Sequence, residues 1–112
     1  MMIWEMNLDE GPFELIKSGQ KTVEMRLCKN DRDLILPKDH ILFHLASGGD
    51  KIEVLVLNIT KFPSFAELYK AYDKIALGYR RDETPDPNDM LTYYSKKDIE
   101  KYGVIAIEIK LI

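Results

Sequence analysis

The sequence predicts an α+β domain built as a small, mostly antiparallel β-barrel with flanking helices. Three observations carry this. Strand-like runs follow one another as hairpins instead of alternating with crossover helices. The turn Ser47-Gly48-Gly49-Asp50 joins two runs rich in β-branched and apolar residues, which is a strong hairpin signal. The closing run "VIAIEIKLI" is apolar enough to lie in the interior of a sheet.

"MIWEMN", residues 2–7, alternates loosely and reads as a first strand. Asp9 is placed to cap a helix through its side-chain oxygen, and Pro12 suits the first turn because its missing N–H costs nothing there. Phe13, Ile16 and Lys17 follow at helical spacing, and Gly19 supplies the left-handed residue that ends such a helix. "KTVEMRLC" is a strand of period two, with Val23, Met25 and Leu27 on one face and Thr22, Glu24 and Arg26 on the other. "KNDRD" is a polar turn, and Pro37 and Asp39 break the chain before a strand at Ile41–Ala46. "KIEVLVLNITKF" is a long strand paired with it across the glycine turn. Ser64 with Glu67 fits a capping box opening the next helix, whose apolar stripe is Phe65, Leu68, Tyr69 and Tyr72. Residues 74–89 form a long charged loop with one helical turn at Lys74–Leu77, and loops of this length are functional or mobile. Ser95 with Asp98 marks a last helical start, and Gly103 ends it before the terminal strand.

The 112 residues suit one domain, with 46% hydrophobic and 31% charged residues, an ordinary globular composition. The single cysteine, Cys28, excludes an internal disulfide and fits a reducing compartment. Glu5, Asp9 and Glu10 interrupt any signal-like apolar run, and no stretch approaches the roughly 18 apolar residues of a membrane span. A cytoplasmic protein without membrane contact is expected. The formal net charge of -3 argues against strong, non-specific nucleic-acid binding, but it permits a pocket for one nucleoside.

The chemistry concentrates on the second strand. Same-face residues lie roughly 6.5–7 Å apart, so Glu24 and Arg26 are near enough to pair. Lys21 has the opposite parity, but it stands at the strand's mouth, where twist swings it over the same opening. A carboxylate accepts from an amino group, Arg clamps a carbonyl pair or phosphate with two hydrogen bonds, and Lys supplies a point charge, base or nucleophile. The plain alternative is a solvent-exposed ion pair of little consequence, in a domain that serves protein interaction.

"FELIKSGQKTVEMRL" resembles the signature of the ASCH domain (activating-signal-cointegrator homology), in which a helix ends in glycine and a Gly-x-Lys-Thr-hydrophobic-Glu-hydrophobic-Arg strand follows. Gly19, Lys21, Thr22, Glu24 and Arg26 match it. "LILPKDHILFH" resembles the family's next segment, with Lys38-Asp39 in place of Gly-Asp, and "YYSKKDIEKYGVIAIEI" resembles its closing helix and strand. The resemblance implies a single PUA-like domain over residues 1–112. It also implies a cleft beside the barrel that holds RNA or a modified nucleoside, with Lys21, Glu24 and Arg26 at its mouth. Some small bacterial members are amide hydrolases that remove acetyl from acetylated cytidine with a Lys, a Thr and a distant Glu. Lys21 matches that Lys, Glu24 stands at the Thr position, and Glu83 is the nearest counterpart of the distant Glu. Lys21 and Glu24 are thus the candidate catalytic pair.

Other residues enter with a second, plainer reading. Tyr93 or Tyr94 offers a stacking surface for a base, or packs in the core. His40 and His44 share a face, yet four strand steps separate them by ~13 Å, too far to share a metal ion. Neither metal nor cofactor is expected. Cys28 reads as a structural thiol and Trp4 as a barrel or cap residue. Arg80 and Arg81 are offset by Asp82 and Glu83 and read as a solvated loop.

Overall fold

The computed structural model describes residues 1–112. Five strands form one sheet: β1 (Ile3–Leu8), β2 (Val23–Leu27), β3 (His40–Leu45), β4 (Lys51–Phe62) and β5 (Val104–Leu111). Their order is β1-β3-β4-β5-β2, with β1 parallel to β3 and every other pairing antiparallel. The α+β class and the mostly antiparallel sheet follow the sequence reading. The sheet curls into a half-barrel without a closing ladder, because its edges β1 and β2 do not pair with each other.

Four α-helices surround the sheet: α1 (Glu10–Lys17), α2 (Phe65–Ala71), α3 (Lys74–Leu77) and α4 (Lys96–Tyr102). Short 3₁₀ turns occupy Arg32–Leu34 and Pro87–Thr92. Ser64 and Ser95 act as read from the sequence, accepting hydrogen bonds from the amides of Glu67 and Asp98. Gly19 follows α1 at φ +86°, the left-handed conformation its sequence position predicts. Asp9 differs: it occupies the N-cap position of α1, but its side chain makes no capping bond and turns toward the cleft described below. None of the helices is long and apolar enough to cross a membrane.

Two cores explain the sequence patterns. The inner core fills the half-barrel with Met6 and Leu8 of β1, Phe13 and Ile16 of α1, and inward residues of β3, β4 and β5. The second lies on the outer side of β2 and β5, where Val23, Met25, Leu27, Val104 and Ala106 meet Phe65, Leu68 and Leu77 of the helices. Strands β2 and β5 are therefore covered on both faces. This is why β5 reads as a nearly continuous apolar run. The polar face of β2 points into the barrel rather than to water, which sets aside the plainer alternative of a solvent-exposed ion pair.

The N-terminal edge is pinned by Asp39. Its buried carboxylate accepts from the Met2 amide, the Trp4 indole Nε1 and the Leu36 amide, each at 3.0 Å. The Trp4 donor, followed by the two amides, holds the Asp39 pKa below its ordinary value. Replacing Asp39 with Ala leaves these donors unmatched. We expect a loss of about 2–4 kcal/mol in urea unfolding, with unchanged far-ultraviolet dichroism at low denaturant.

Candidate functional site

The backbone that delivers the site is short and tightly held. After α1, the Lys21 amide donates to the Leu15 carbonyl and the Thr22 amide to that of Ala76, both at 3.0 Å, which anchors the entry to β2. In β2, Glu24 lies opposite Ile107 and Arg26 opposite Ile105. Directly opposed residues share a face, so both charged side chains point toward the inner core. Glu24 is buried, with 3% of its surface exposed, and Lys21 retains only 8%.

Glu24 organises the cluster. Its Oε1 accepts from Lys21 Nζ at 3.0 Å and from the Met25 amide at 3.1 Å. Its Oε2 accepts from Arg26 Nε at 3.0 Å and from Nη2 at 2.9 Å. Arg26 Nη2 also donates to the carbonyl of Asn7 on β1 at 2.9 Å. The guanidinium thus spans the unpaired seam between the two edge strands. Lys21 is steered from its other side by Gly78, at φ +107°, where a Cβ would stand 3.2 Å from Lys21 Cδ and 3.4 Å from Leu15 Cδ1. Only glycine combines that backbone with that clearance.

Two hollows meet at this cluster. One, of about 170 Å³, is lined by Lys21, Glu24 and Arg26 together with Asp9, Tyr93 and Tyr94. The other, of about 370 Å³, shares Lys21, Met90 and Tyr93 with the first and adds Tyr79, Glu83 and Asp89. The long loop is therefore a wall of the second lobe. It is held in place by Lys74 Nζ, which donates to the carbonyls of Arg81 and Glu83 at 2.7 Å each, and by Tyr79, whose hydroxyl donates to Asp89 Oδ2 at 2.6 Å. Burial, with Asp89 beside it, pushes the Tyr79 phenol far above its usual range, so it remains protonated at neutral pH.

The structure brings together Lys21, Glu24, Arg26 and Tyr93 at one opening. Tyr94 packs its ring on Phe65, with centroids 6.0 Å apart, while Tyr93 is 55% exposed at the hollow, with its ring tilted against that of Tyr94 at 6.4 Å. Other residues considered from sequence lie elsewhere. His40 pairs with Glu53 at 2.6 Å and His44 with Glu5 at 2.8 Å. Cys28 and Trp4 pack against the inner core. Arg80 turns back on Glu83. Asn7, Asp9 and Asp89 were not foreseen as site residues. Asn7 contributes only a backbone carbonyl, which has no sequence signal, and Asp9 resembled a helix cap.

Burial raises the Glu24 pKa, but the ammonium of Lys21 and the guanidinium of Arg26 outweigh it and hold the carboxyl below its usual range. A carboxylate depressed on folding contributes stability that is complete above its unfolded pKa of about 4.3. That stability is lost as the pH falls through the lower folded value. Glu24→Gln leaves the buried Lys21 and the partly buried Arg26 without a counter-charge. We expect a loss of about 3–5 kcal/mol at pH 7 in urea titrations, and a shallower decline of stability below about pH 5 than in the wild type.

Comparison with known proteins agrees with this architecture. The chain is 34% identical to hypothetical protein PH0355, whose crystal structure superposes with a TM-score of 0.84, over 99% of this chain and 100% of that one. It is 31% identical to protein PF0455 from Pyrococcus furiosus, with a TM-score of 0.67 over 99% of this chain and 98% of that one. The ZmASCH protein from Zymomonas mobilis is similar in fold, with a TM-score of 0.67 at 16% identity over 96% of this chain and 67% of that one. No curated protein is matched by the sequence. Residues 6–112 match the ASCH domain, and with the curled sheet, its flanking helices and the Gly19–Arg26 strand entry, the chain belongs to the ASCH domain family.

Proposed function

We propose that the cleft binds a nucleoside, or a single nucleotide of RNA, with its base in the smaller hollow. The observation that carries this reading is a buried ionic cluster at the mouth of a ring-sized cavity. Buried ion pairs rarely stabilise a fold more than apolar side chains of the same volume would, so a cluster of this kind at an opening points to a ligand. A cavity of about 150 Å³ holds a benzene ring, and the hollow of about 170 Å³ is of that order. It falls below the ~300–1,000 Å³ common for drug-sized ligands.

The roles follow from the free hydrogen-bonding capacity. Both oxygens of Glu24 are already engaged, so it positions its neighbours. Lys21 Nζ carries three donors and uses one on Glu24; Arg26 Nη1 makes no bond within the protein. These donors face carbonyl oxygens or ring nitrogens of a base, while Tyr93 offers a stacking plane. With a net charge of -3, affinity for long RNA is weak at physiological salt. Calorimetry with the four ribonucleosides tests the reading. At least one should bind, and Tyr93→Ala and Lys21→Met should each weaken it tenfold or more, against an unchanged His44→Ala control. No binding, or variants that bind as the wild type does, would remove the proposal.

A second reading, hydrolysis of an acylated nucleoside such as acetylated cytidine, is favoured by one observation: Lys21 and Glu83 line the same lobe. Water would add to the amide carbonyl as Glu83 takes its proton, Lys21 would hydrogen-bond the developing oxyanion, and Glu83 would return that proton to the nitrogen as the C–N bond breaks, giving acetate and the free amine. Acetate release from acetylated cytidine, abolished in Lys21→Ala and in Glu83→Gln, is the expected result. Turnover no greater than in the Lys21→Ala protein excludes it.

A further inference from the structure

Four carboxylates line the two hollows, and three of them are engaged within the protein. Both oxygens of Glu24 are taken by Lys21, Arg26 and the Met25 amide. Asp89 Oδ2 accepts from the Tyr79 hydroxyl at 2.6 Å, and Glu83 Oε1 accepts from the Arg80 amide at 2.7 Å. Asp9 differs. It lines the smaller hollow, yet its side chain makes no capping hydrogen bond, and neither Lys21 nor Arg26 of the same hollow pairs with it.

That freedom is unusual for its position. Asp9 has the extended backbone of an N-cap, φ −67° and ψ 162°, and its carbonyl accepts from the Phe13 amide at 3.0 Å. An aspartate in this place ordinarily turns a side-chain oxygen onto an amide of the first turn. Leaving that bond unmade gives up helix stability, and a local rule broken in this way marks a functional position.

Depth orders the groups of the hollow. Lys21 and Glu24 are buried, whereas Asp9 is exposed at the solvent rim. One ring fills a hollow of about 170 Å³. A base seated against Lys21 and Arg26 therefore leaves its sugar at the mouth, where Asp9 stands. A ribose presents two vicinal O–H donors there. An ionised carboxylate with both oxygens free accepts both, and such charge-assisted bonds are the short, strong ones.

We propose that Asp9 accepts from the 2′- and 3′-hydroxyls of the ribose of a nucleoside bound in this hollow, so that the cleft selects ribonucleosides with a free diol. The proposal rests on the reading of the hollow as a nucleoside site and specifies its sugar. The charges around the cleft agree with a free 3′-hydroxyl. Across the two hollows the two cations, Lys21 and Arg26, face four carboxylates, and a phosphate on the 3′-oxygen would stand against Asp9. The 2′-hydroxyl is also the group by which a protein tells ribose from deoxyribose.

The test is calorimetry on the folded protein with the four ribonucleosides, their 2′-deoxy counterparts and their 3′-monophosphates, for the wild type, Asp9→Ala and Asp9→Asn. At least one ribonucleoside should bind tenfold or more tightly than both its 2′-deoxy and its 3′-phosphorylated form. Asp9→Ala should bring the ribonucleoside down to the affinity of the deoxynucleoside while leaving the deoxynucleoside unchanged. Asp9→Asn, which keeps one acceptor oxygen without the charge, should retain part of the gap. Deoxynucleosides that bind as well as ribonucleosides, a gap that survives in Asp9→Ala, or an equal loss for both sugars would overturn the sugar contact and leave the nucleoside cleft standing. A 3′-monophosphate that binds more tightly than its nucleoside would do the same. Failure of every nucleoside to bind would overturn both.

Discussion

The bridge from Glu24 through Arg26 to the Asn7 carbonyl is the interaction on which the site depends. A curled five-stranded sheet has two free edges, and in this protein they are β1 and β2. Unpaired edges expose backbone donors and acceptors that invite other chains. Here one side chain of β2 reaches a backbone carbonyl of β1, and the carboxylate behind it keeps the guanidinium in a single orientation. The gap that backbone pairing would have closed is left as an opening with a fixed frame.

That arrangement accounts for a buried Glu24 and Lys21 and a partly buried Arg26 in a chain of modest size. Desolvating a carboxylate and two cations is costly, and the attraction among them roughly offsets the cost when the geometry is good. Glu24 meets that condition with four donors on its two oxygens. What remains are unused N–H groups on Lys21 and Arg26, two residues that line a ring-sized hollow. Preorganised donors of this kind bind strongly because little reorganisation is needed when a ligand arrives. Gly78 and the stapled loop after α3 serve the same end by holding Lys21 and the wall of the second lobe.

Much of the fold was legible along the chain. The Ser47–Asp50 hairpin, the caps at Ser64 and Ser95, the stop at Gly19 and the single turn at Lys74–Leu77 are local events, set by backbone preference and hydrogen bonds within a few residues. The Lys21, Glu24 and Arg26 cluster was legible as a motif, since its spacing lies within one strand. Asp9 shows the limit of local reasoning. Its residue type and position meet every requirement of a cap, yet its side chain faces the cleft instead. Arg32 shows another: in sequence it belongs to a polar turn, and only the fold shields its Nε from solvent.

Periodicity, turn chemistry and capping act over short range, so the class of the fold, the order of its elements and the charged positions of β2 are readable along the chain. That both faces of β2 are covered, with Glu24 and Lys21 buried at the mouth of the half-barrel, follows from the tertiary packing. The same packing decided that an exposed Tyr93 and a packed Tyr94 divide two roles that the sequence left equal. The physical reason is that burial and electrostatic pairing are set by what lies across space, and α2, α3 and the edge of β1 come from segments far from β2 along the chain.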